Sequence, residues 1–110
     1  MGDDMIIDFS LEPFSVNRQY QGRRFMTKEY KDWKSLFAIL CNGCSKSKIR
    51  ATKVKIDWWH PNSNRRDIDG VCKSILDGLV QNEIIEDDRY IDELTIRKFK
   101  GEPRILIEIA

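Results

Sequence analysis

Three aspartates in the second half of the chain have the type and spacing of a metal site. Asp67 and Asp69 stand two positions apart where a polar loop meets a predicted helix, and Asp88 follows that helix in an acidic turn, residues 86–88. Three bases lie near them in the sequence: Arg65, Arg66 and Lys73. A hard cation such as Mg²⁺ prefers oxygen ligands, often binds substrate phosphate, and would relieve the repulsion between converging carboxylates. Because such an ion makes a bound water more acidic, the pattern indicates phosphodiester hydrolysis.

Each of these aspartates also has a purely structural explanation. Asp67 suits the N-cap of the predicted helix, and Asp69 suits both the helix dipole and an i,i+4 pair with Lys73. A helix of about 15 residues is ~22 Å long, so Asp88 is not automatically close to Asp67. The two come together only if the following strand runs back along the sheet or the acidic turn folds over it. Periodicity leaves this point open.

The hydrophobic pattern predicts the elements that must position these residues. Strands are expected over residues 5–11, 52–59, about 90–99 and 105–109. Helices are expected from the N-cap Thr27 to a stop at Asn42 and Gly43, and from Asp67 onward. The stretches 15–24 and 60–66 are expected to be loops. The order β-α-β-α-β-β predicts an α+β fold in two layers, one mixed β-sheet with both helices packed on it.

Length and composition limit the kind of protein. With 110 residues, 34% charged and 41% hydrophobic, the chain is expected to form one domain over residues 1–110. So small a core has no room for a large buried cofactor, and no glycine-rich dinucleotide fingerprint is present, so no small-molecule cofactor is expected. The acidic start and the short longest apolar run, residues 36–41, indicate neither a signal peptide nor a membrane span. We therefore expect a cytoplasmic protein with reduced thiols.

The cysteines offer a second kind of metal site. Cys41 and Cys44 have the spacing of half a zinc site, which His60 and Cys72 could complete. The second half lacks a paired spacing, and Cys72 falls on the apolar side of the predicted helix. Zinc is therefore the less favoured interpretation.

Charge is distributed unevenly, although the net charge is only +1. Residues 13–66 carry thirteen bases and three acids, whereas residues 67–93 carry two bases and nine acids. Such asymmetry indicates binding of a polyanion next to an acidic centre. The plainer interpretation is two solvated faces of opposite sign that attract each other, and the layout alone does not separate the two.

Several motifs together resemble the RusA family of Holliday junction resolvases. In chain order they are His60-Pro61, the run Arg65-Arg66-Asp67-Ile68-Asp69, Lys73, Asp77-Gly78-Leu79 and Asp87-Asp88. The early Pro13-Phe14-Ser15-Val16-Asn17 is similar to the Pro-x-Ser-x-Asn signature of that family. The resemblance implies a small homodimeric endonuclease that depends on Mg²⁺, with Mn²⁺ as a substitute. It also implies paired symmetric nicks in four-way DNA junctions during recombination and repair, and an origin in a phage or prophage.

The resemblance assigns roles to four residues. Asp67, Asp69 and Asp88 match the catalytic, metal-binding aspartates of the family, and Lys73 matches a lysine that assists at the scissile phosphate. The chain departs from the pattern at Gly70, where the family often has Asn. Gly in the first turn of a helix costs up to ~1 kcal/mol in propensity. The departure puts metal affinity or rate in question, not the reaction type.

A junction nuclease must also hold branched DNA. The residues expected at the DNA are Asn17, Arg18, Arg23, Arg24, Lys46, Lys48, Arg50, Arg65 and Arg66. Contacts between basic side chains and DNA phosphates read the shape of the DNA rather than its sequence. Each of these basic side chains could equally serve solubility. Trp59 and Tyr20 are candidates for stacking on an opened base, whereas Trp58 is expected in the core. Because a four-way junction needs two opposed cuts, an isologous dimer suits it.

Two other functions fit parts of the pattern. A nucleotidyltransferase also uses Asp-x-Asp, but its Gly-Ser phosphate loop has only a weak counterpart at residues 43–45. A non-catalytic dimeric module that binds branched DNA, with structural carboxylates, remains the alternative.

Overall fold

The computed structural model describes residues 5–15, 20–21, 25–65 and 67–110. The strands in this part are β1 Met5–Phe9, β2 Tyr20–Gln21, β3 Phe25–Met26, β4 Lys53–His60, β5 Glu93–Lys100 and β6 Arg104–Ile109. The helices are α1 Lys28–Cys41 and α2 Ile68–Gln81, with short 3₁₀ turns at Ser63–Arg65 and Asp88–Tyr90. The predicted α+β class and element order are confirmed, and no helix in the described ranges has the length and apolarity to cross a bilayer.

One mixed sheet carries the architecture. Its strand order is β1-β6-β4-β5, with β4 and β5 parallel and the other neighbours antiparallel. Parallel neighbours cannot be joined by a tight turn, so α2 must carry the chain back to the edge where β4 began. Strand β2 lies inside the predicted loop, residues 15–24, and it pairs antiparallel with β3 just after that stretch. Each of these strands has two residues, which is too short to leave a periodic signal.

Helix α1 begins and ends where the sequence predicts. The hydroxyl of the N-cap Thr27 accepts a hydrogen bond from the backbone N–H of Tyr30 at 3.2 Å. At the other end, the N–H of Asn42 bonds back to the carbonyl of Ala38. The buried side recurs every three or four residues, through Tyr30, Trp33, Phe37 and Cys41. This stripe packs α1 on the sheet and on α2.

The core lies between the sheet and the two helices. Alternate residues of β4 and β6 point into it: Val54, Ile56, Trp58, Ile105, Ile107 and Ile109. Trp58 is fully buried, as expected. Trp59 points to the opposite face of the sheet, where its ring stacks on Phe99 with centroids 5.1 Å apart.

Asp57 departs from the predicted alternation of β4. The pattern places it on the exposed face, but only 5% of the residue is exposed. The reason is Arg97, its partner on β5, whose guanidinium donates two hydrogen bonds to the carboxylate at 2.8 and 2.7 Å. These bonds lower the pKa of Asp57, so the covered group stays ionised.

Gly78 sets how closely the two helices approach. A Cβ built at this position would lie 2.8 and 2.9 Å from two carbons of the fully buried Phe37 ring. Phe37 in turn packs edge-on against Phe9, with centroids 5.4 Å apart, so its ring has little room to move. The contact requires glycine in the middle of α2.

Replacing Gly78 by Ala should lower the free energy of unfolding by about 1–3 kcal/mol, because overpacking against Phe37 outweighs the ~1 kcal/mol gain in helix propensity. The measurement is chemical denaturation of both proteins at one temperature. Gly43→Ala is the matched control, since its Cβ would meet only the Leu40 carbonyl oxygen at 3.7 Å. Equal stability of the Gly78→Ala protein and the parent would contradict the close contact.

Candidate active site

The first two aspartates lie at the start of α2. Asp67 is the N-cap, in extended conformation, but its side chain makes no capping hydrogen bond. Asp69 is exposed in the first turn, and its Oδ1 accepts a hydrogen bond from the N–H of Gly70 at 2.9 Å. The backbone of Gly70 therefore supplies a polar contact to Asp69 although the residue has no side chain to do so. The predicted N-cap position is confirmed, although the expected capping hydrogen bond is not formed.

Lys73 and Asp77 continue the line of Asp69 along α2, one helical turn apart. The Nζ of Lys73 lies 3.5 Å from Oδ2 of Asp77. The ion pair is therefore formed towards the C-terminal end of the helix, and not with Asp69 as the spacing had suggested. With 61% of its side chain exposed, Lys73 can still reach a ligand above this side of α2.

Asp88 lies against the middle of the same helix. It begins the 3₁₀ turn Asp88–Tyr90, which contacts α2, and β5 starts only at Glu93, so Asp88 does not open a strand as expected. Partial desolvation raises the pKa of Asp88, and so do the hydrogen bond and charge of Asp87 and the charge of Asp77, whereas the charge of Lys73 lowers it. Asp88 is thus a neighbour of the Lys73–Asp77 pair.

The crossover explains how far the aspartates are brought together. Helix α2 starts beyond the end of β4 and ends near the start of β5, so Asp67 and Asp88 are attached to opposite ends of it. The 3₁₀ turn that carries Asp88 contacts α2, and Asp88 lies near Lys73 and Asp77. Even so, the described ranges contain no group of three or more His, Cys, Asp or Glu side chains arranged to hold a metal ion. The joint role of Asp67, Asp69 and Asp88 as ligands stays a prediction.

Cys41, Cys44, His60 and Cys72 likewise form no metal-holding group within the described ranges. Burial raises the pKa of Cys41 to about 12 and that of Cys72 to about 11. Both thiols are thus disfavoured as the thiolates that zinc binds. Cys41 ends α1 inside the core and acts as a small apolar side chain.

The segment 11–15 is tied to three elements around the site. Trp33 of α1 donates from Nε1 to the carbonyl of Glu12 at 2.6 Å. The hydroxyl of Ser74 on α2 lies 2.5 Å from the carbonyl oxygen of Phe14. His60 at the end of β4 lies 2.9 Å from the Glu12 carboxylate through Nε2. Sequence patterns missed these anchors, because they join polar atoms across long separations.

The His60 ring is fixed in one tautomer by its two neighbours. Its Nδ1 accepts a hydrogen bond from the backbone N–H of Asn62 at 2.9 Å, so Nε2 carries the proton donated to Glu12. Both nitrogens are used in holding the loop after β4 to segment 11–15. The first two motifs of the sequence, around Pro13 and His60, therefore act in one place as supports for the start of α2.

Some of the residues predicted to contact DNA lie in the described part of the chain, and others do not. Lys48 pairs with Glu83 at 3.6 Å and Arg50 with Glu86 at 2.9 Å, so the connector 45–50 runs beside the acidic turn. Lys46 is exposed on the same connector. The remaining predictions lie outside the described residues or side chains: Asn17, Arg18, Arg23, Arg24, Arg66 and the side chains of Tyr20 and Arg65.

Comparisons with known proteins give one match that bears on function. The family model described as endodeoxyribonuclease RusA matches residues 12–110, most of the chain. A search of curated proteins gives no match. A solved structure, CetZ from Methanosaeta thermophila strain DSM 6194, aligns with 97% of this chain at 15% identity and a TM-score of 0.42. The chain spans only 26% of that protein, and a likeness at this level assigns neither a fold nor a function to this chain.

Charges along α2 should control the ionisation of Asp88. Asp77→Asn removes a negative neighbour and should lower the pKa of Asp88, whereas Lys73→Met removes a positive one and should raise it. A carbon-detected NMR titration of the carboxyl groups, without divalent ions, measures both shifts. Asp32→Asn, which breaks the like-spaced Lys28–Asp32 pair on α1, should leave Asp88 unchanged. Shifts of the opposite sign would show that Asp88 lies elsewhere.

Proposed function

We propose a detailed reaction on one established premise: this chain belongs to the RusA family of endodeoxyribonucleases, which resolve Holliday junctions. Branched DNA is therefore its substrate class. In our proposal the protein uses Mg²⁺, with Mn²⁺ as a substitute, and cuts four-way junctions by paired symmetric nicks in recombination and repair. Cytoplasmic location and origin in a phage or prophage belong to the same proposal.

The observation that carries this proposal is the family match over residues 12–110, which includes every residue given a catalytic role. It favours catalysis over the non-catalytic DNA-binding module and over a nucleotidyltransferase. The positions of Asp69, Lys73 and Asp88 on α2 and beside it support the same assignment.

The donor chemistry of these residues fits a hard divalent cation. Mg²⁺ keeps several waters and is often held by only one or two carboxylates together with substrate phosphate, so three preassembled protein ligands are not required. Asp67, Asp69 and Asp88 are the residues that would hold it. When bound, the ion would supply a more acidic water and neutralise charge on the reacting oxygens.

The side chains of the chain itself have three tasks in this proposal. Lys73 offers a mobile ammonium to the scissile phosphate, since most of its side chain is exposed. Asp77 keeps that ammonium near Asp88 when no DNA is present. Segment 11–15, through Glu12 and His60, holds the loop that leads to Asp67.

Asp67→Asn, Asp69→Asn and Asp88→Asn should each reduce cleavage of a synthetic four-way junction by about a hundredfold or more, because a carboxylate ligand for the ion is worth several kcal/mol in the transition state. Binding of the junction should persist or tighten, since negative charge near the phosphate is lost. Cleavage gels with Mg²⁺ and with EDTA, beside linear duplex, measure both properties.

Glu102→Gln, an exposed acid in the turn between β5 and β6, is the control and should cut at the parental rate. Normal cutting by the three site variants, cutting in EDTA, or equal digestion of linear duplex would each contradict the proposal.

A homodimer would provide the two sites that paired nicks require. Helix α1 offers a face for a second copy: Leu36, Ile39 and Leu40 lie on one side of it, with Leu36 52% and Ile39 63% exposed. These residues stand apart from the buried stripe of Tyr30, Trp33 and Phe37. We assign the dimer contact to this apolar face, because large exposed aliphatic groups in one patch favour association.

Ile39→Glu should convert a dimer into a monomer, because it places a charge within an apolar contact. Sedimentation at micromolar concentration gives the mass, and the junction assay should show single nicks in place of paired ones. Ile6→Glu is the matched control: Ile6 is 69% exposed on β1, away from α1. A parent protein that sediments as a monomer, or a dimer that survives Ile39→Glu, would overturn this assignment.

A further inference from the structure

Arg50 is brought to the turn that carries Asp88 by the backbone on either side of it. Ile49 and Ile85 form an isolated parallel bridge. Within it, the N–H of Ile49 bonds to the carbonyl of Ile84 at 3.0 Å, and the N–H of Glu86 to the carbonyl of Ile49 at 2.8 Å. The position of Arg50 beside the acidic turn therefore does not depend on its own flexible side chain.

Tyr90 gathers two guanidinium groups at this place. The guanidinium carbon of Arg50 lies 4.2 Å from the centroid of the Tyr90 ring, and that of Arg89 lies 4.9 Å from it. Arg89 also donates from Nη2 to the Tyr90 hydroxyl at 2.9 Å. An aromatic face attracts a cation and restrains its orientation, so both arginines are held before any ligand arrives.

Both arginines keep guanidinium donors that these contacts do not use. Arg50 uses Nε for Glu86 at 2.9 Å, and Arg89 lies 3.9 Å from Asp87 through Nε. A guanidinium has five N–H donors in a planar fork, so each retains N–H groups on its Nη atoms. Their side chains are 62% and 71% exposed. A phosphate matches this fork geometry.

Another arginine of the chain shows what a purely structural contact looks like. Arg104 also lies over an aromatic ring, 4.8 Å from the centroid of Trp59. Its Nε and Nη2, however, both bond to the Asp8 carboxylate, at 2.8 and 2.7 Å. Arg104 therefore commits two N–H groups to one carboxylate and its side chain is 44% exposed, whereas Arg50 commits one N–H group to Glu86 and its side chain is 62% exposed.

We propose that Arg50, Arg89 and Tyr90 form a contact site for a DNA backbone phosphate next to the scissile one. The site rests on the proposed function, because Asp88 is the residue immediately before Arg89 and lies close to Lys73. When Asp88 and Lys73 hold the scissile phosphate of a DNA strand, the adjacent phosphate of that strand lies at Arg50 and Arg89. Arg89 was absent from the DNA contacts expected from sequence, and Arg50 was included there only as one base of a charged connector.

The test is junction binding by Arg50→Gln/Arg89→Gln, measured in EDTA over a range of salt concentrations. The slope of log affinity against log salt should decrease by about one for each lost phosphate contact, so by about two. Arg104→Gln, an arginine with the same kind of ring contact at the far end of β4, should keep the parental slope. Thermal unfolding of all three proteins checks that the variants are folded.

A second measurement locates the phosphate. A neutral methylphosphonate placed beside the scissile bond should weaken binding by the parent protein but not weaken binding by Arg50→Gln/Arg89→Gln any further. An unchanged salt slope in that variant, an equal decrease in Arg104→Gln, or an additive methylphosphonate effect would overturn the inference. Absence of cutting by the parent protein would count against the proposed function, whereas these binding outcomes count against the phosphate site alone.

Discussion

The parallel pairing of β4 with β5 is the constraint on which the site depends. Two parallel neighbours must be joined by a crossover, and here α2 is that crossover. A helix of 14 residues then stands between the aspartates at its start and the chain that follows it. The segment after α2 places Asp88 against this helix, near Lys73 and Asp77, before β5 begins. The same segment brings Arg50 into reach.

Repulsion between carboxylates acts at the acidic turn, residues 86–88. Asp88 has its pKa raised by desolvation and by the charges of Asp87 and Asp77. Lys73 offsets part of this unfavourable charge, and a divalent ion with a phosphate would offset more. The arrangement in the absence of ligand is therefore one of neighbouring carboxylates that a cation would draw together, and the exposed Lys73 can follow the phosphate.

Local rules account for the parts of the fold that the sequence predicts well. The limits of α1 follow from the Thr27 cap and the stop at Asn42, and the core side of β4 follows from alternation. Contacts between distant residues were not predictable in this way. Arg97 covers Asp57 from the next strand, and Lys73 has acidic residues one turn away on both sides, so spacing could not decide its partner. The position of Asp88 beside α2 depends on a 3₁₀ turn, which leaves no periodic signal.

The uneven charge of the chain serves both interpretations that its layout allows. Lys48 and Arg50, from the basic part, pair with Glu83 and Glu86, from the acidic part, so the two parts do attract each other. These pairs are exposed, and exposed pairs contribute little to stability because water and salt screen them. The backbone hydrogen bonds of Ile49 hold the basic connector beside the acidic turn, and the ion pairs form across that contact. The guanidinium group of Arg50 thus lies next to the carboxylates of the acidic turn. A phosphate that binds there would meet positive charge both from this guanidinium and from a cation held by the carboxylates.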